Sequence, residues 1–181
     1  YSSSNVLQEL IGNILDISMI ESEKLVIHYT EMELRKTIEQ IISLFRPGAF
    51  NNGIELVLLY PAKLDDIIVT TDELRFRQVV SNIISNAIKF TNEGEVRVAV
   101  ECVNSQVTDV ALLQIAITDT GCGISPEGQQ TLFRPFSQAD INGYSHQSGS
   151  GLGLLISRRL CEALGGGIQL HSQPGVGTRE I

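Results

Sequence analysis

One predicted helix carries side chains that suit contact with phosphate groups. Asn82, Asn86 and Lys89 are spaced at i, i+4 and i+7, so they share one face of a helix expected over Asp72–Phe90. Two amides and an ammonium on one face can contact phosphate oxygens and a hydrated divalent cation, since Mg²⁺ prefers oxygen ligands and keeps several waters. The same three side chains would also suit an ordinary solvated face, so both interpretations stand at this point.

Two glycine-rich clusters lie at the ends of predicted elements. The first, Asp119-Thr-Gly-Cys-Gly-Ile124, follows a strand, and the second, Gly149-Ser-Gly-Leu-Gly-Leu154, precedes a helix. Each would also serve as a plain turn or hinge. The second cluster follows a polar loop, whereas a dinucleotide fingerprint follows a strand, and no glycine precedes the Lys-Ser/Thr pair of a phosphate-binding P-loop.

The remaining pattern alternates helices and strands. Thr30 and Glu33 have the spacing of a capping box, and Pro47 and Gly48 are expected to end the helix that it opens. Helices are predicted over Ser2–Glu23, from Thr30 to about Phe45, and over Asp72–Phe90, Pro126–Phe133 and Leu152–Leu164. Strands are predicted over Lys24–Tyr29, Ile54–Tyr60, Ile67–Thr70, Glu95–Cys102, Ala111–Thr118 and Ile168–Ser172, with the fourth and fifth as an antiparallel pair. This order indicates an α+β fold with helices on one face of a sheet.

The apolar stripe of the first helix must be covered. A partner helix, a second copy of the chain or the chain's own domain would each serve.

Composition narrows the function classes. The 181 residues contain 13 basic and 21 acidic side chains, for a net charge of −8, which argues against nucleic acid or an anionic membrane surface as a partner. Three cysteines are too few and too odd in number for a disulfide framework and suggest a reducing compartment. No apolar run approaches the roughly 20 residues of a bilayer span, and no signal peptide opens the sequence.

Taken together, these motifs resemble the four signature boxes of sensor histidine kinases, in order and over nearly the whole chain. The segment Phe133-Arg-Pro-Phe136 is similar to hybrid kinases, which carry receiver domains. The resemblance implies a Bergerat ATP-binding fold: a two-layer α/β sandwich whose mixed, mostly antiparallel sheet has helices on one face, preceded by one long amphipathic helix. It divides the chain into residues 1–23, part of the second dimerisation helix, and residues 24–181, the catalytic domain. Whether a last edge strand is missing beyond Ile181 stays open.

The resemblance also implies a role for each matching residue. Asp119 would accept a hydrogen bond from the adenine amino group, and Thr178 would lie near the base. Asn86 would ligate Mg²⁺ while Asn82 and Lys89 hold phosphates, which makes Asn86 and Lys89 the catalytic residues. Phe133 would anchor the lid. The other residues expected at the nucleotide are Phe90, Gly121, Gly123, Ile124, Gly149, Gly151, Leu152, Gly153 and Leu154.

The histidines do not fit a phosphoacceptor. None of His28, His146 and His171 has the helical His-Glu or His-Asp context of the family's acceptor. The expected function is therefore Mg-ATP binding and donation of the γ-phosphoryl group to a histidine of the first dimerisation helix, which lies outside this sequence. The implied partners are the dimerisation helices of a homodimeric parent and a receiver domain or response regulator.

The resemblance places this fragment in the cytoplasm and allows a parent protein in the inner membrane. Two alternatives stay open. One is a pseudokinase or dimerisation module without phosphotransfer, which failure to bind nucleotide would favour. The other is a non-kinase ATPase of the same superfamily, against which Lys89 and the leading helix argue.

Overall fold

The computed structural model describes residues 11–19, 22, 24–104, 111–135 and 151–181. Its main sheet has five strands in the order β2-β4-β5-β7-β6, and a separate ribbon pairs β1 with β3. The strands are β1 (Thr30–Glu33), β2 (Ile54–Leu59), β3 (Ile68–Thr71), β4 (Gly94–Asn104), β5 (Ala111–Asp119), β6 (Leu170–Gln173) and β7 (Gly177–Glu180). Only the β2–β4 pair is parallel; the other pairs of the main sheet are antiparallel.

The helices are α1 (residues 11–19), α2 (Leu34–Asn51), α3 (Glu73–Phe90), the single turn α4 (Pro126–Gln129) and α5 (Gly153–Ala163), with a 3₁₀ turn at Ala62–Leu64. Of these, α2 and α3 pack against the strands of the main sheet. Helix α3 packs against α2, α5 and the strands β4 and β5. The two-layer, mostly antiparallel architecture expected from the sequence is confirmed.

Alternation along the central strand shows which face the helices cover. Val96, Val98 and Val100 of β4 are at most 1% exposed, whereas Arg97 between them and Glu101 after them are exposed. The buried valines meet the apolar faces of α2 and α3, because side chains with a two-residue period in a strand line one face. The core also takes in Leu152, Ile156 and Leu160 at the start and along one side of α5.

The start of α2 differs from the prediction. Residues Lys24–Tyr29 are not a strand, and Thr30–Glu33 is a strand rather than a capping box. The reason is Met32, which is 1% exposed and lies opposite Val69 in the ribbon. Helix α2 begins at Leu34 with no side-chain cap, and the Leu34 N–H donates to the Ile67 carbonyl at 3.2 Å. Tertiary packing therefore replaces the local capping signal.

The end of α2 also lies later than predicted, because the helix runs through Pro47 and Gly48 to Asn51. Proline removes one helical hydrogen bond, but Ala49 is 1% exposed and anchors the last turn in the core. The helix predicted over Pro126–Phe133 is only the single turn Pro126–Gln129, in which the Ser125 hydroxyl accepts from the Gly128 N–H at 3.1 Å. Helices α3 and α5 and the strands β2 to β6 agree with the predictions to within about two residues. Strand β7 was not predicted, and of the first predicted helix only residues 11–19 are described.

Candidate functional site

The polar face of α3 is set by its cap and its apolar side. Asp72 is the N-cap, and its Oδ1 accepts from the Arg75 N–H at 3.1 Å, which fixes where the helix starts. The opposite side is buried in the core through Val79, Val80, Ile83, Ile84, Ala87 and Ile88. Asn82, Asn86 and Lys89 are consequently held along the other side of the helix, each partly buried. The structure thus brings the three side chains onto one face.

A buried carboxylate ends strand β5. Asp119 is 9% exposed, and its Oδ1 accepts from the backbone N–H groups of Gly121 at 2.8 Å and Thr178 at 3.2 Å. Burial raises the pKa of the Asp119 carboxyl, and the two N–H groups oppose that shift because they stabilise the charged form. Both bonds use the same oxygen, so the second oxygen keeps acceptor capacity for another donor.

The loop after β5 runs against the C-terminal end of α3. The Cys122 N–H donates to the Phe90 carbonyl at 3.3 Å, and a Cβ on Gly121 would lie 2.3 Å from that carbonyl oxygen. Gly123 has a φ of +65°, and a Cβ there would lie 2.0 Å from the Gln173 carbonyl oxygen. Only glycine permits this approach. We call the side of α3 that carries Asn82, Asn86 and Lys89 the asparagine face. The close contact places Asp119 and its loop beside the Lys89 end of this face.

The hydroxyl groups of Ser172 and Thr178 form a pair on the other side of the Asp119 loop. Thr178 was predicted from the sequence, and Ser172 was not. The Ser172 hydroxyl accepts from the Ile124 N–H at 2.8 Å and lies 2.9 Å from the Thr178 hydroxyl. Gln129 donates to the carbonyls of Ile124 and Ser172 at 2.8 and 2.9 Å. No sequence signal identifies Ser172, because it meets Thr178 only through the pairing of β6 with β7. Gln129 was missed as well, and its contact with Ser172 depends on where α4 lies relative to β6.

The first turn of α5 packs on α3 at Asn82. The Asn82 Nδ2 donates to the Ser157 hydroxyl at 2.8 Å, and a Cβ on Gly153 would lie 2.5 Å from the Asn82 Oδ1. Ser157 is only 2% exposed. It was also missed, although its spacing of four residues from Gly153 on one helix is a usable signal.

The remaining predicted residues lie around this centre. Leu152 is fully buried and precedes α5, Gly151 has a φ of +67°, and Leu154 is partly buried. The guanidinium of Arg158 lies 5.0 Å from the centre of the Phe133 ring, and the Lys89 ammonium lies 4.9 Å from that of Phe90. Gly149, together with Phe136 and His146, falls outside the described residues.

Within the described part of the chain, no three side chains of the His, Cys, Asp or Glu types gather in an arrangement that could hold a metal ion. Among the helices described, none has the length and apolarity needed to cross a membrane.

Comparison with protein families gives one match, over residues 71–181, to the "Histidine kinase-, DNA gyrase B-, and HSP90-like ATPase" model. Curated relatives match almost the whole chain. The virulence sensor protein BvgS of Bordetella bronchiseptica is 44% identical over 180 residues, 98% of this chain and 14% of the relative. The sensor protein GacS of Pseudomonas syringae is 41% identical over 177 residues, and the signal transduction histidine-protein kinase BarA of Escherichia coli is 36% identical over 176 residues; each match covers 97% of this chain and 19% of the relative. The chain thus spans less than a fifth of these relatives.

Solved structures share the fold. Full-length ShkA in complex with AMPPNP matches 96% of this chain and 34% of its own, with a TM-score of 0.78 and 25% identity. The catalytic domain of the histidine kinase ThkA in a nucleotide-free form matches 84% of this chain and 92% of its own, with a TM-score of 0.68 and 24% identity.

Proposed function

Because the chain belongs to the histidine kinase-, DNA gyrase B- and HSP90-like ATPase family, we propose that it binds Mg-ATP and serves as the phosphoryl-donating part of a sensor histidine kinase. The observation that carries the proposal is the carboxylate of Asp119. It is buried at the end of β5, held by two backbone N–H groups, and its loop contacts the end of the asparagine face of α3. This arrangement suits a ligand with a hydrogen-donating base at one end and phosphates at the other.

The proposed adenine contact follows from the chemistry of Asp119. An ionised carboxylate only accepts hydrogen bonds, so it pairs with the amino group of adenine and repels the carbonyl that guanine carries at the same position. Gly121 and Thr178 hold its Oδ1, which leaves Oδ2 for the base. The Thr178 hydroxyl, kept in place by Ser172, supplies a second polar group nearby.

The proposed phosphate contacts come from α3 and α5. The amide oxygen of Asn86 would hold Mg²⁺, which supplies positive charge that draws electron density from the phosphates. Asn82 and Lys89 would bind phosphate oxygens, and the N–H groups in the first turn of α5 favour anions because the helix leaves them unpaired. These groups would position the γ-phosphoryl and neutralise its charge. In this proposal none of the described residues forms a covalent bond with the phosphoryl group.

In the parent protein, the γ-phosphoryl would pass to a histidine nitrogen: a nitrogen–phosphorus bond forms as the bond between Pγ and the bridging oxygen of ADP breaks. Support comes from relatives named as sensor proteins and a histidine kinase. We assign residues 24–181 to the catalytic domain and residues 1–23 to the second dimerisation helix. Homodimerisation of the parent through such helices, and transfer onward to a receiver domain or response regulator, belong to the same proposal.

The test is titration of the chain with ATP by calorimetry, with and without Mg²⁺. We expect Asp119→Asn to weaken ATP binding at least about tenfold, since the Gly121 and Thr178 N–H groups keep the amide oxygen and turn its NH₂ towards the adenine amino group. Asn86→Ala should bind ATP with less dependence on Mg²⁺. The exposed Asp66→Asn is the matched control and should bind like the unsubstituted chain. Unchanged affinity in Asp119→Asn would refute the adenine contact.

A further inference from the structure

We propose that Ser157 is a positioning residue for the nucleotide site, whose hydroxyl fixes the Asn82 amide and so sets the spacing between the asparagine face of α3 and the first turn of α5. The inference rests on the proposed function and extends it to a residue of α5. Ser157 lies within α5, three residues after the second glycine cluster, and none of the motifs in the sequence includes it.

The contact that carries the proposal is a buried polar pair between two helices. Ser157 is 2% exposed, and its Oγ accepts from the Asn82 Nδ2 at 2.8 Å. The buried residues of α5 are Ile156, Ser157 and Leu160, and Ser157 is the polar one of the three. A buried hydroxyl that meets a partner contributes to specific geometry, because leaving the amide without one costs free energy.

The opposite side of the same amide is also fixed by α5. The Asn82 Oδ1 lies so close to Gly153 that a Cβ there would be 2.5 Å from it. Gly153 and Ser157 are one helical turn apart and therefore on the same side of α5. The Asn82 amide thus sits between them, with its nitrogen towards Ser157 and its oxygen towards the first turn of the helix.

The contacts of Asn82 with Gly153 and Ser157 connect α3 and α5, the two helices that are proposed to hold phosphates. Asn86 lies one turn beyond Asn82 on the same side of α3. A shift of α3 at Asn82 relative to α5 therefore also changes the position of Asn86 relative to α5. The first turn of α5 has no side-chain cap, because Leu152 precedes it. Its position relative to α3 depends on packing and on the Asn82–Ser157 contact. Without the Ser157 hydroxyl, the Asn82 amide can rotate, and α3 and α5 lose the hydrogen bond that joins them at the phosphate end of the site.

The base end of the site is independent of this contact. Asp119 and Thr178 are held by backbone bonds within the sheet and the loop that follows β5. A positioning role for Ser157 therefore predicts a selective effect: weaker binding of the triphosphate and an unchanged contact with the base. A role in packing alone would weaken both, since it acts through the stability of the whole fold.

The experiment compares Mg-ATP with adenosine on the full chain, by calorimetry or by competition against a fluorescent ATP analogue. We expect Ser157→Ala to weaken Mg-ATP binding roughly threefold to tenfold, the effect of one lost hydrogen bond, and to leave adenosine affinity unchanged. Ser157→Cys keeps the volume with a much weaker acceptor and should show the same selective loss. Ser85→Ala, an exposed serine of α3, is the matched control and should bind both ligands normally.

Further arms make each outcome decisive. If the contact acts through Asn82, the double variant Asn82→Ala/Ser157→Ala should lose no more Mg-ATP affinity than Asn82→Ala alone. Normal Mg-ATP affinity in Ser157→Ala, an equal loss for ATP and adenosine, or additive losses in the double variant would each overturn the inference. If the unsubstituted chain binds neither adenosine nor ATP, the proposed function is refuted, and this inference with it.

Discussion

At the scale of single residues, two acidic side chains on one face of the sheet have different surroundings. Asp119 has two backbone donors, whereas the buried Oε2 of Glu180 has no hydrogen-bond partner among the described residues. Glu180 is 7% exposed and lies opposite Ile117 on β5, on the side of the sheet that faces the core. Burial, and secondarily the charge of Asp119, raises the pKa of Glu180 to about 8.

That pKa predicts a pH-dependent stability. Because the folded state keeps the Glu180 proton up to about pH 8 while the unfolded chain releases it near the ordinary value of 4.5, the free energy of unfolding falls as pH rises between these values. Glu180→Gln cannot ionise, so its stability relative to the unsubstituted chain should increase from pH 5 to pH 8, by about 2–4 kcal/mol. Urea unfolding at four pH values measures this difference.

The control for this prediction is Glu55→Gln, at an exposed position of β2. Its stability should stay at a constant offset from that of the unsubstituted chain over the same pH range. A constant offset for Glu180→Gln as well would show that Glu180 is ionised in the folded state at neutral pH.

At the scale of elements, α1 has two different sides. Ile11, Ile14, Leu15 and Met19 are exposed, whereas Asn13, Asp16 and Ile17 on the opposite side are partly buried. Asp16 accepts from Arg75 Nη1 at 2.9 Å and from Gln78 Nε2 at 2.7 Å, both near the start of α3. The helix therefore contacts α3 through its more polar side and leaves its apolar side exposed.

We expect Asp16→Ala to loosen α1 without unfolding the rest. The Arg75 and Asp16 side chains are 18% and 15% exposed, so their ion pair is shielded from solvent and worth about 1–2 kcal/mol with its hydrogen bonds. A helical segment that has lost its packing contacts is marginal in water. Amide hydrogen exchange over residues 11–19 should become roughly 5- to 30-fold faster, with α3 unchanged.

The control for Asp16→Ala is Ser18→Ala, on the exposed side of the same helix. It makes the same kind of truncation without touching α3, so exchange over residues 11–19 should stay close to that of the unsubstituted chain. Equal exchange rates in the two variants would mean that the Asp16 contacts do not hold α1 in place.

At the scale of the whole molecule, the core formed by the described residues is built almost entirely from those after α1. The buried apolar set runs from Met32 to Leu160, and Ile17 and Leu25 only pack against its edge. We therefore expect a fragment of residues 24–181 to fold cooperatively and to bind ATP with the affinity of the full chain. Its melting temperature should fall by about 2–8 °C, reflecting the loss of roughly 1–2 kcal/mol of contacts with α1.

Thermal unfolding followed by circular dichroism, with an ATP titration of the same sample, tests the fragment against the full chain. A broad, non-cooperative transition would contradict the division at residue 24. So would a folded fragment that has lost ATP affinity, since it would make α1 part of the nucleotide site.

Local patterns were sufficient for much of this protein. The apolar period predicts α3 and α5, the two-residue alternation predicts β4, and spacing alone predicts that Asn82, Asn86 and Lys89 share a face. These features depend on residues within one or two turns of one another, so the sequence contains them directly. The resemblance to sensor histidine kinases followed from the same motifs, and the family match confirms it.

Other features depend on residues that only the tertiary structure brings together. Strand β7 lies between β5 and β6, which puts the Thr178 N–H on Asp119 and the Ser172 hydroxyl beside Thr178. Ser157 meets Asn82 across two helices. Burial of Met32 and Ala49 overrides the capping and proline signals around α2, because removing apolar surface from water outweighs a local preference of about 1–3 kcal/mol. The sequence by itself determined the motif residues, helices α3 and α5 and most of the strands, whereas β1, β7 and both ends of α2 were decided by packing and pairing. Strand order and long-range packing decided which backbone groups and hydroxyls hold those residues in place.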